Sequence, residues 1–312
     1  MGAKTTRRIL ILIALIGLLG GGAYFARRFQ ISRLAGTLVA PAEEAETAGN
    51  FEKAIDLYRQ HLSVVPDDDD VKIKYANVIL KQENTTTNQS DAMNIYRSVL
   101  NKKPNLQEIR RKVAVLAVGL QKFDIGRTNL AILLQKKPKG DSELEYLMGQ
   151  CQEADGDNQG AEKSYRQAIK DSPDRIEIYS KLAGLLRNTL NRPSDADSVI
   201  ESMVKHHPND EQAFLARGRY RLPFDLKGAE ADFRKALEKK RDVAALYVEL
   251  ARLELARTDR KKEKYDEARK ILEDGLKNAG KSVSLYQMLG EVGQTAGELD
   301  RAVADVRRGV DA

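Results

Sequence analysis

The chain has 312 residues, 42% hydrophobic, 31% charged and 6% aromatic, with eight prolines, one cysteine and no tryptophan. This composition fits a helical chain and excludes collagen-like, mucin-like and disulfide-scaffold proteins. The formal net charge of +6 arises within residues 1–40, which hold six basic residues and no acid. The remaining 272 residues are formally neutral, so we expect no broad basic face of the kind that nucleic acid requires and no nucleic-acid partner, although a local basic patch stays open.

The first predicted element is an uncharged apolar segment at residues 9–26 (ILILIALIGLLGGGAYFA). At 1.5 Å per helical residue it reaches about 27 Å, close to the hydrocarbon thickness of a bilayer. Arginine pairs flank it at residues 7–8 and 27–28, and a buried core helix would leave them without nearby acids. We therefore predict a transmembrane signal anchor after a short basic tail (1–8) and before a juxtamembrane linker (27–35).

Two features of the anchor stay open. Small residues at 21–23 could instead serve cleavage of a signal peptide. Three basic residues stand on each side of the segment, so the positive-inside rule gives no orientation. Because long domains are translocated largely regardless of charge, we expect a single-pass protein of a bacterial inner membrane with an extracytoplasmic domain. A cytoplasmic-facing domain is the alternative.

Beyond the anchor the chain repeats itself. Pro66, Pro104, Pro138, Pro173 and Pro208 are 34 to 38 residues apart. Twelve positions before each proline stands a small residue: Ala54, Ala92, Gly126, Ala161 and Ala196. The series of small residues continues at Ala229, Ala268 and Ala302, where no proline follows. A large apolar residue follows four positions later and a mostly small one after seven, which places the three on one helical face. The pattern predicts the second helix of a helical hairpin, ended in five units by proline.

Upstream in each unit lies a second amphipathic segment, the first helix of the hairpin. It is clearest in four units, where an aromatic residue is followed by Leu or Arg and then a small residue: Tyr179-x-x-Leu182-Ala183, Phe214-x-x-Arg217-Gly218, Tyr247-x-x-Leu250-Ala251 and Tyr286-x-x-Leu289-Gly290. Polar insertions at 82–90 and 257–264 lengthen two units. This recurrence resembles the tetratricopeptide repeat, a helix-turn-helix of about 34 residues. The resemblance implies an all-α, right-handed superhelical solenoid of about eight hairpins over residues 36–312. The approximate repeats are 36–68, 69–106, 107–141, 142–175, 176–210, 211–243, 244–282 and 283–312.

Such a solenoid has a concave groove, lined by the first helices, that binds a peptide or a partner helix. The repeat phase predicts these groove-facing residues: Glu143, Tyr146, Gln150, Glu153, Glu177, Ser180, Arg187, Gln212, Leu215, Arg219, Val248 and Arg252. In one known mode of the family, paired Lys and Asn residues clamp the carboxylates of a chaperone tail. Asn77 offers one element, but Ile73 stands where a Lys is needed, so this mode is disfavoured.

Other polar clusters have structural interpretations. The acidic run at 67–70 precedes a predicted helix, where acids favour the positive helix end, and the segment 155–158 lacks the bidentate Glu of a calcium loop and predicts a turn. The three histidines and the lone Cys151 form no metal-ligand pattern, and no catalytic motif is present. We therefore expect no metal, no cofactor and no enzymatic activity.

These features predict a membrane-anchored, non-catalytic scaffold that binds and organises partner proteins or peptides at the cell envelope. The alternative is a receptor or assembly factor for newly made or translocating proteins on the cytoplasmic face. Val303, Val306 and Val310 recur at helical spacing on the last predicted helix. An open edge there would suit self-association, further repeats or a partner that covers the face.

Overall fold

The computed structural model describes residues 36–83, 85–135, 140–257 and 263–310. The predicted anchor at 9–26, with its tail and linker, lies outside the described residues. Among the helices of the described ranges, none combines the length and the apolar character needed to cross a bilayer.

The described residues form sixteen α-helices and one π-helical turn, with no strand among them. The predicted all-α architecture of stacked helical hairpins is confirmed. The chain divides into two compact units, Met1–Pro138 and Lys139–Ala312.

Unit 1 contains three hairpins, each a first helix followed by a second. The helices are α1 (Val39–Thr47), α2 (Phe51–Val64), α3 (Asp69–Gln82), α4 (Thr86–Lys102), α5 (Gln107–Gly119) and α6 (Phe123–Gln135). Unit 2 contains five hairpins. Its helices are α7 (Ser142–Ala154), α8 (Asn158–Asp171), α9 (Ile176–Gly184, continued by the π-helical turn Leu185–Thr189), α10 (Pro193–His206), α11 (Glu211–Arg221), α12 (Leu226–Lys239), α13 (Ala244–Ala256), α14 (Glu263–Asn278), α15 (Val283–Ala296) and α16 (Leu299–Val310).

The small residues of the second helices let the two helices of a hairpin approach closely. All eight are buried, as are most of the large residues that follow them. On the facing helix, a Cβ built at Gly149 would lie 2.5 Å from the Tyr165 ring, and one at Gly218 would lie 2.4 Å from the Phe233 ring. Each glycine therefore makes room for the aromatic side chain that fills its hairpin.

The acidic residues at 67–70 and 155–158 lie at turns and at the starts of the helices that follow. The Asp68 carboxylate accepts a hydrogen bond from the Val71 N–H (3.1 Å) at the start of α3. Gly156 has a φ of +80°, and the Asp157 carboxylate then accepts from the Gly160 N–H (2.9 Å) at the start of α8. Both clusters satisfy backbone donors that a helix start leaves unpaired, as their sequence indicates.

Candidate partner-binding surfaces

A concave pocket of about 760 Å³ lies in unit 2 between α7, α9 and α11, the first helices of three successive hairpins. We call it the unit 2 pocket. Its lining residues are Tyr146, Asp174, Ile176, Glu177, Ser180, Lys181, Gly184, Gln212, Leu215, Ala216, Arg219 and Tyr220. Six predicted groove residues are brought together here: Tyr146, Glu177, Ser180, Gln212, Leu215 and Arg219.

Tyr146 forms one wall of the unit 2 pocket. Its half-buried ring lies 5.8 Å from the ring of Tyr165, and the Arg175 guanidinium stacks over it at 5.4 Å. Arg175 is held in turn by Glu177, with Nη2 2.6 Å from Oε1. Burial raises the pKa of the Tyr146 phenol, although a hydrogen bond with Gln150 opposes the shift. The wall is thus a neutral aromatic face in a fixed orientation.

Tyr220 forms another wall. Its hydroxyl accepts from Arg187 Nε (2.7 Å) and donates to the Asp197 carboxylate (2.6 Å). Burial, together with the Asp197 hydrogen bond, raises the pKa of Tyr220 to about 12, so the hydroxyl remains protonated at neutral pH. The Arg187 guanidinium also lies 4.0 Å from the centroid of the Phe224 ring. This stack fixes the Tyr220 ring before any partner binds.

The floor of the unit 2 pocket is apolar and small, whereas charges of both signs stand on its rim. Leu215 is buried, and Gly184 and Ala216 leave room above it. On the rim, Arg219 donates to Glu249 (2.8 Å). Lys181 is exposed and forms no ion pair among the described residues. The pocket can therefore hold an apolar side chain between two tyrosines and pair a charge at its edge.

The other predicted groove residues lie elsewhere. Gln150 and Glu153 support the tyrosines, since Gln150 hydrogen-bonds Tyr146 and Glu153 accepts from the Tyr165 hydroxyl at 2.8 Å. Arg187 holds Tyr220 through its hydrogen bond to the phenol oxygen. Glu143 is half-buried on α7, and Arg252 is exposed 3.8 Å from the Glu249 carboxylate.

Val248 does not line the unit 2 pocket. Its side chain is 7% exposed and packs in the core with Leu285 and Leu289 of α15. Helix α13 is buried on nearly every side and packs on α15 as well as on its own partner α14. The face that carries Val248 is therefore covered.

Unit 1 contains a second pocket of about 630 Å³ between α3 and α5, which we call the unit 1 pocket. Its lining is basic and apolar and contains no acid: Asn77, Leu80, Lys81, Tyr96, Arg111, Lys112, Val115 and Leu116. The Asn77 amide oxygen accepts from the Tyr96 hydroxyl (2.6 Å) and from Lys112 Nζ (2.5 Å). This arrangement can receive an acidic group beside an apolar side chain.

None of the residues that line the unit 1 pocket is among the predicted groove residues. The spacing on one helix pairs Asn77 with Ile73, whereas in the structure Lys112 reaches Asn77 from the next hairpin. The two residues are 35 positions apart, close to one repeat period, and this spacing is the signal that could have found the pair. Tyr220 and Lys181 of the unit 2 pocket were missed for a related reason, because the prediction did not include every position of the facing helices.

The histidines bond to protein groups in different places. The His61 ring, 3% exposed, lies 2.9 Å from the Asp68 carboxylate, while His206 and His207 contact the carbonyls of Ser202 and Pro173. Among the described residues, no group of three or more His, Cys, Asp or Glu side chains could hold a metal ion.

Comparison with family models identifies the repeat in both units. Two models, each described as tetratricopeptide repeat, match residues 45–72 and 143–175. The structure is also similar to a crystal structure of a tetratricopeptide repeat protein from Parabacteroides merdae, with a TM-score of 0.57 and 15% identity over 83% of this chain and 98% of that one. This likeness supports the fold.

Two other similarities are more limited. MamA from Desulfovibrio magneticus matches with a TM-score of 0.47 and 13% identity over 55% of this chain and 93% of that one. The human and mouse protein O-mannosyl-transferase TMTC3 are each 34% identical over 86 residues, which is 27% of this chain. The chain spans 9% of the length of these curated relatives.

Proposed function

We propose that this protein is a membrane-anchored tetratricopeptide-repeat scaffold that binds segments of partner proteins at the cell envelope and performs no catalysis. The observation that carries the proposal is the unit 2 pocket, where three first helices present two fixed tyrosine rings above an apolar floor. Rigid aromatic walls around a small apolar floor are typical of sites where a few side chains supply most of the binding free energy.

The pocket suits a peptide segment with one bulky apolar residue flanked by charges. The apolar residue would sit on Leu215 between Tyr146 and Tyr220. An acidic neighbour would pair with Lys181, whose ammonium group has no ion-pair partner among the described residues. The unit 1 pocket supplies a separate basic surface for an acidic stretch of a partner.

Membrane attachment belongs to the same proposal. The uncharged run at 9–26 and its flanking arginines support a single-pass anchor, with the repeats outside the cytoplasm of a bacterial cell. A tether raises the effective concentration of the pocket for partners in the same membrane.

The alternative is a receptor or assembly factor for newly made or translocating proteins on the cytoplasmic face. The apolar floor of the unit 2 pocket favours this function, since it would accept a bulky side chain of an extended unfolded segment. The alternatives differ in the side of the membrane that carries the repeats and in whether the bound partner is folded.

Site-specific photo-cross-linking in native membranes tests the proposal. A photoreactive residue at Gln212 should capture a defined partner, and Ser180→Tyr should abolish that product because a second ring fills the pocket. Ser194→Tyr is the matched control, since Ser194 is exposed on α10 of the same hairpin and does not line the pocket. If Ser180→Tyr and Ser194→Tyr give the same product, the pocket is not the binding site. Protease protection in sealed spheroplasts, before and after disruption, then separates the scaffold from the cytoplasmic receptor.

A further inference from the structure

Helix α16 presents an apolar stripe to solvent. Leu299, Val303, Val306 and Val310 are 63%, 52%, 44% and 82% exposed. They are separated by four, three and four positions, the spacing that places side chains along the seam of two paired helices. Only Ala302 and Asp305 of this helix are buried against the rest of unit 2.

In other second helices of this chain, the residue equivalent to Val310 packs toward the next hairpin. The residue eight positions after the small residue is apolar in each preceding hairpin. In α8, α12 and α14 that residue is Ile169, Leu237 or Leu276, and each packs against a core to which the next hairpin contributes. Val310 occupies the same position in α16 and is the most exposed of the large apolar residues described.

The charged residues beside the stripe are acidic near the start of α16 and basic near its end, and this order favours one particular partner. Arg301 pairs with Glu298 at 3.4 Å and Arg308 with Asp305 at 3.2 Å, so these arginines are engaged within the chain. Asp300 and Arg307 are exposed, flank the stripe on the same side, and form no ion pair among the described residues. One lies near the start of the helix and the other near its end.

We propose that α16 pairs with α16 of a second copy of this chain, in antiparallel orientation about a two-fold axis between Val303 and Val306. Leu299 of each copy then lies opposite Val310 of the other, and Asp300 lies beside Arg307 of the other. In a parallel pair, Asp300 and Arg307 of one copy would instead face Ala302 and Gly309 of the other copy. Asp300 and Arg307 would then have no opposite charge across the seam. The antiparallel pair is self-complementary, as a two-fold interface requires.

The pairing is expected to be weak in solution. Four apolar side chains per copy bury well under the roughly 1,200 Å² of a standard stable interface. Confinement of both copies to one membrane would raise their effective concentration. The inference concerns a different face from the unit 2 pocket and does not depend on it.

Cysteine cross-linking of the full-length chain in its native membrane tests the pairing. The native Cys151 is buried, so an introduced cysteine on α16 is the accessible thiol. With a short bismaleimide, Val306→Cys should give a dimer because the two thiols lie close to the axis. Arg301→Cys, on the opposite side of α16, is the matched control and should give none.

Charge exchange tests the orientation. In the Val306→Cys background, Arg307→Asp should lower the dimer yield several-fold, and the double change Asp300→Arg/Arg307→Asp should restore it. Equal yields from Val306→Cys and Arg301→Cys overturn the pairing, as does a product with a different protein in place of the dimer. Failure of the double change to restore the dimer overturns the antiparallel arrangement.

Discussion

The Tyr165 hydroxyl donates a 2.8 Å hydrogen bond to the Glu153 carboxylate across the hairpin of α7 and α8. Tyr58 makes the equivalent bond to Glu46 at 3.3 Å in the first hairpin. Burial, reinforced by the Glu153 carboxylate, raises the pKa of Tyr165 well above its ordinary value. The phenol therefore stays protonated and links the interior of the hairpin to a polar residue on its first helix.

Removal of this hydroxyl should weaken the hairpin. Tyr165→Phe keeps the ring but leaves the Glu153 carboxylate without its donor, at an expected cost of about 1–3 kcal/mol for a bond to a charged group. Hydrogen exchange of α7 and α8 should become faster. Tyr265→Phe is the control, because Tyr265 is partly buried and its hydroxyl forms no hydrogen bond with any described residue. Equal protection in both variants would show that the bond contributes nothing.

Two glycines of the first helices should respond to the same substitution in opposite directions. Gly149→Ala places a methyl group 2.5 Å from the Tyr165 ring, and overpacking of this kind costs about 1–3 kcal/mol. Gly184→Ala meets nothing within 4 Å in a helical conformation and should stabilise by roughly 0.5–1 kcal/mol through the unfolded state. Urea unfolding followed by circular dichroism measures both. Destabilisation by Gly184→Ala would contradict the open space around that residue.

The sequence predicts what depends on the repeat period and misses what depends on contacts between particular side chains. The burial of Ala161 and Tyr165 follows from their phase on one helix, and this phase is visible in the sequence. The burial of Val248 follows from the packing of α15 on α13, which the phase does not encode. The bond between Asn77 and Lys112 likewise joins different hairpins. The spacing from Gly126 to Ala161 continues across the division into two units, so the period gives no signal for that division.

Acid should weaken the start of α3 through Asp68. Partial burial alone would raise the pKa of this carboxyl, but hydrogen bonds from the Val71 N–H and the His61 ring hold it below its ordinary value. A lowered folded-state pKa means that the ionised group stabilises the fold above its unfolded-state pKa of about 3.9, and that this contribution is lost as the pH falls through the lower value.

The measurement is hydrogen exchange of α3 between pH 5 and pH 2.5, corrected for the intrinsic rate. Asp68→Asn still caps the helix but cannot titrate, so its protection should not show this decline. If the two proteins lose protection in parallel as the pH falls, Asp68 is not the responsible group.

The last hairpin depends on an ion pair that solvent hardly reaches. Arg269 of α14 and Asp305 of α16 are 6% and 5% exposed, with Nη1 and Oδ2 2.6 Å apart. Asp305→Ala leaves the guanidinium buried with the more distant Glu298 carboxylate at 3.8 Å, and loss of one partner of such a pair costs about 3–5 kcal/mol. We expect α16 to lose its exchange protection while α7 and α8 keep theirs. The double change Arg269→Met/Asp305→Leu removes both charges and should recover most of the protection, because uncompensated burial of one charge, rather than loss of attraction, accounts for most of the cost. Equal loss in the single and double variants would mean that the attraction itself stabilises α16.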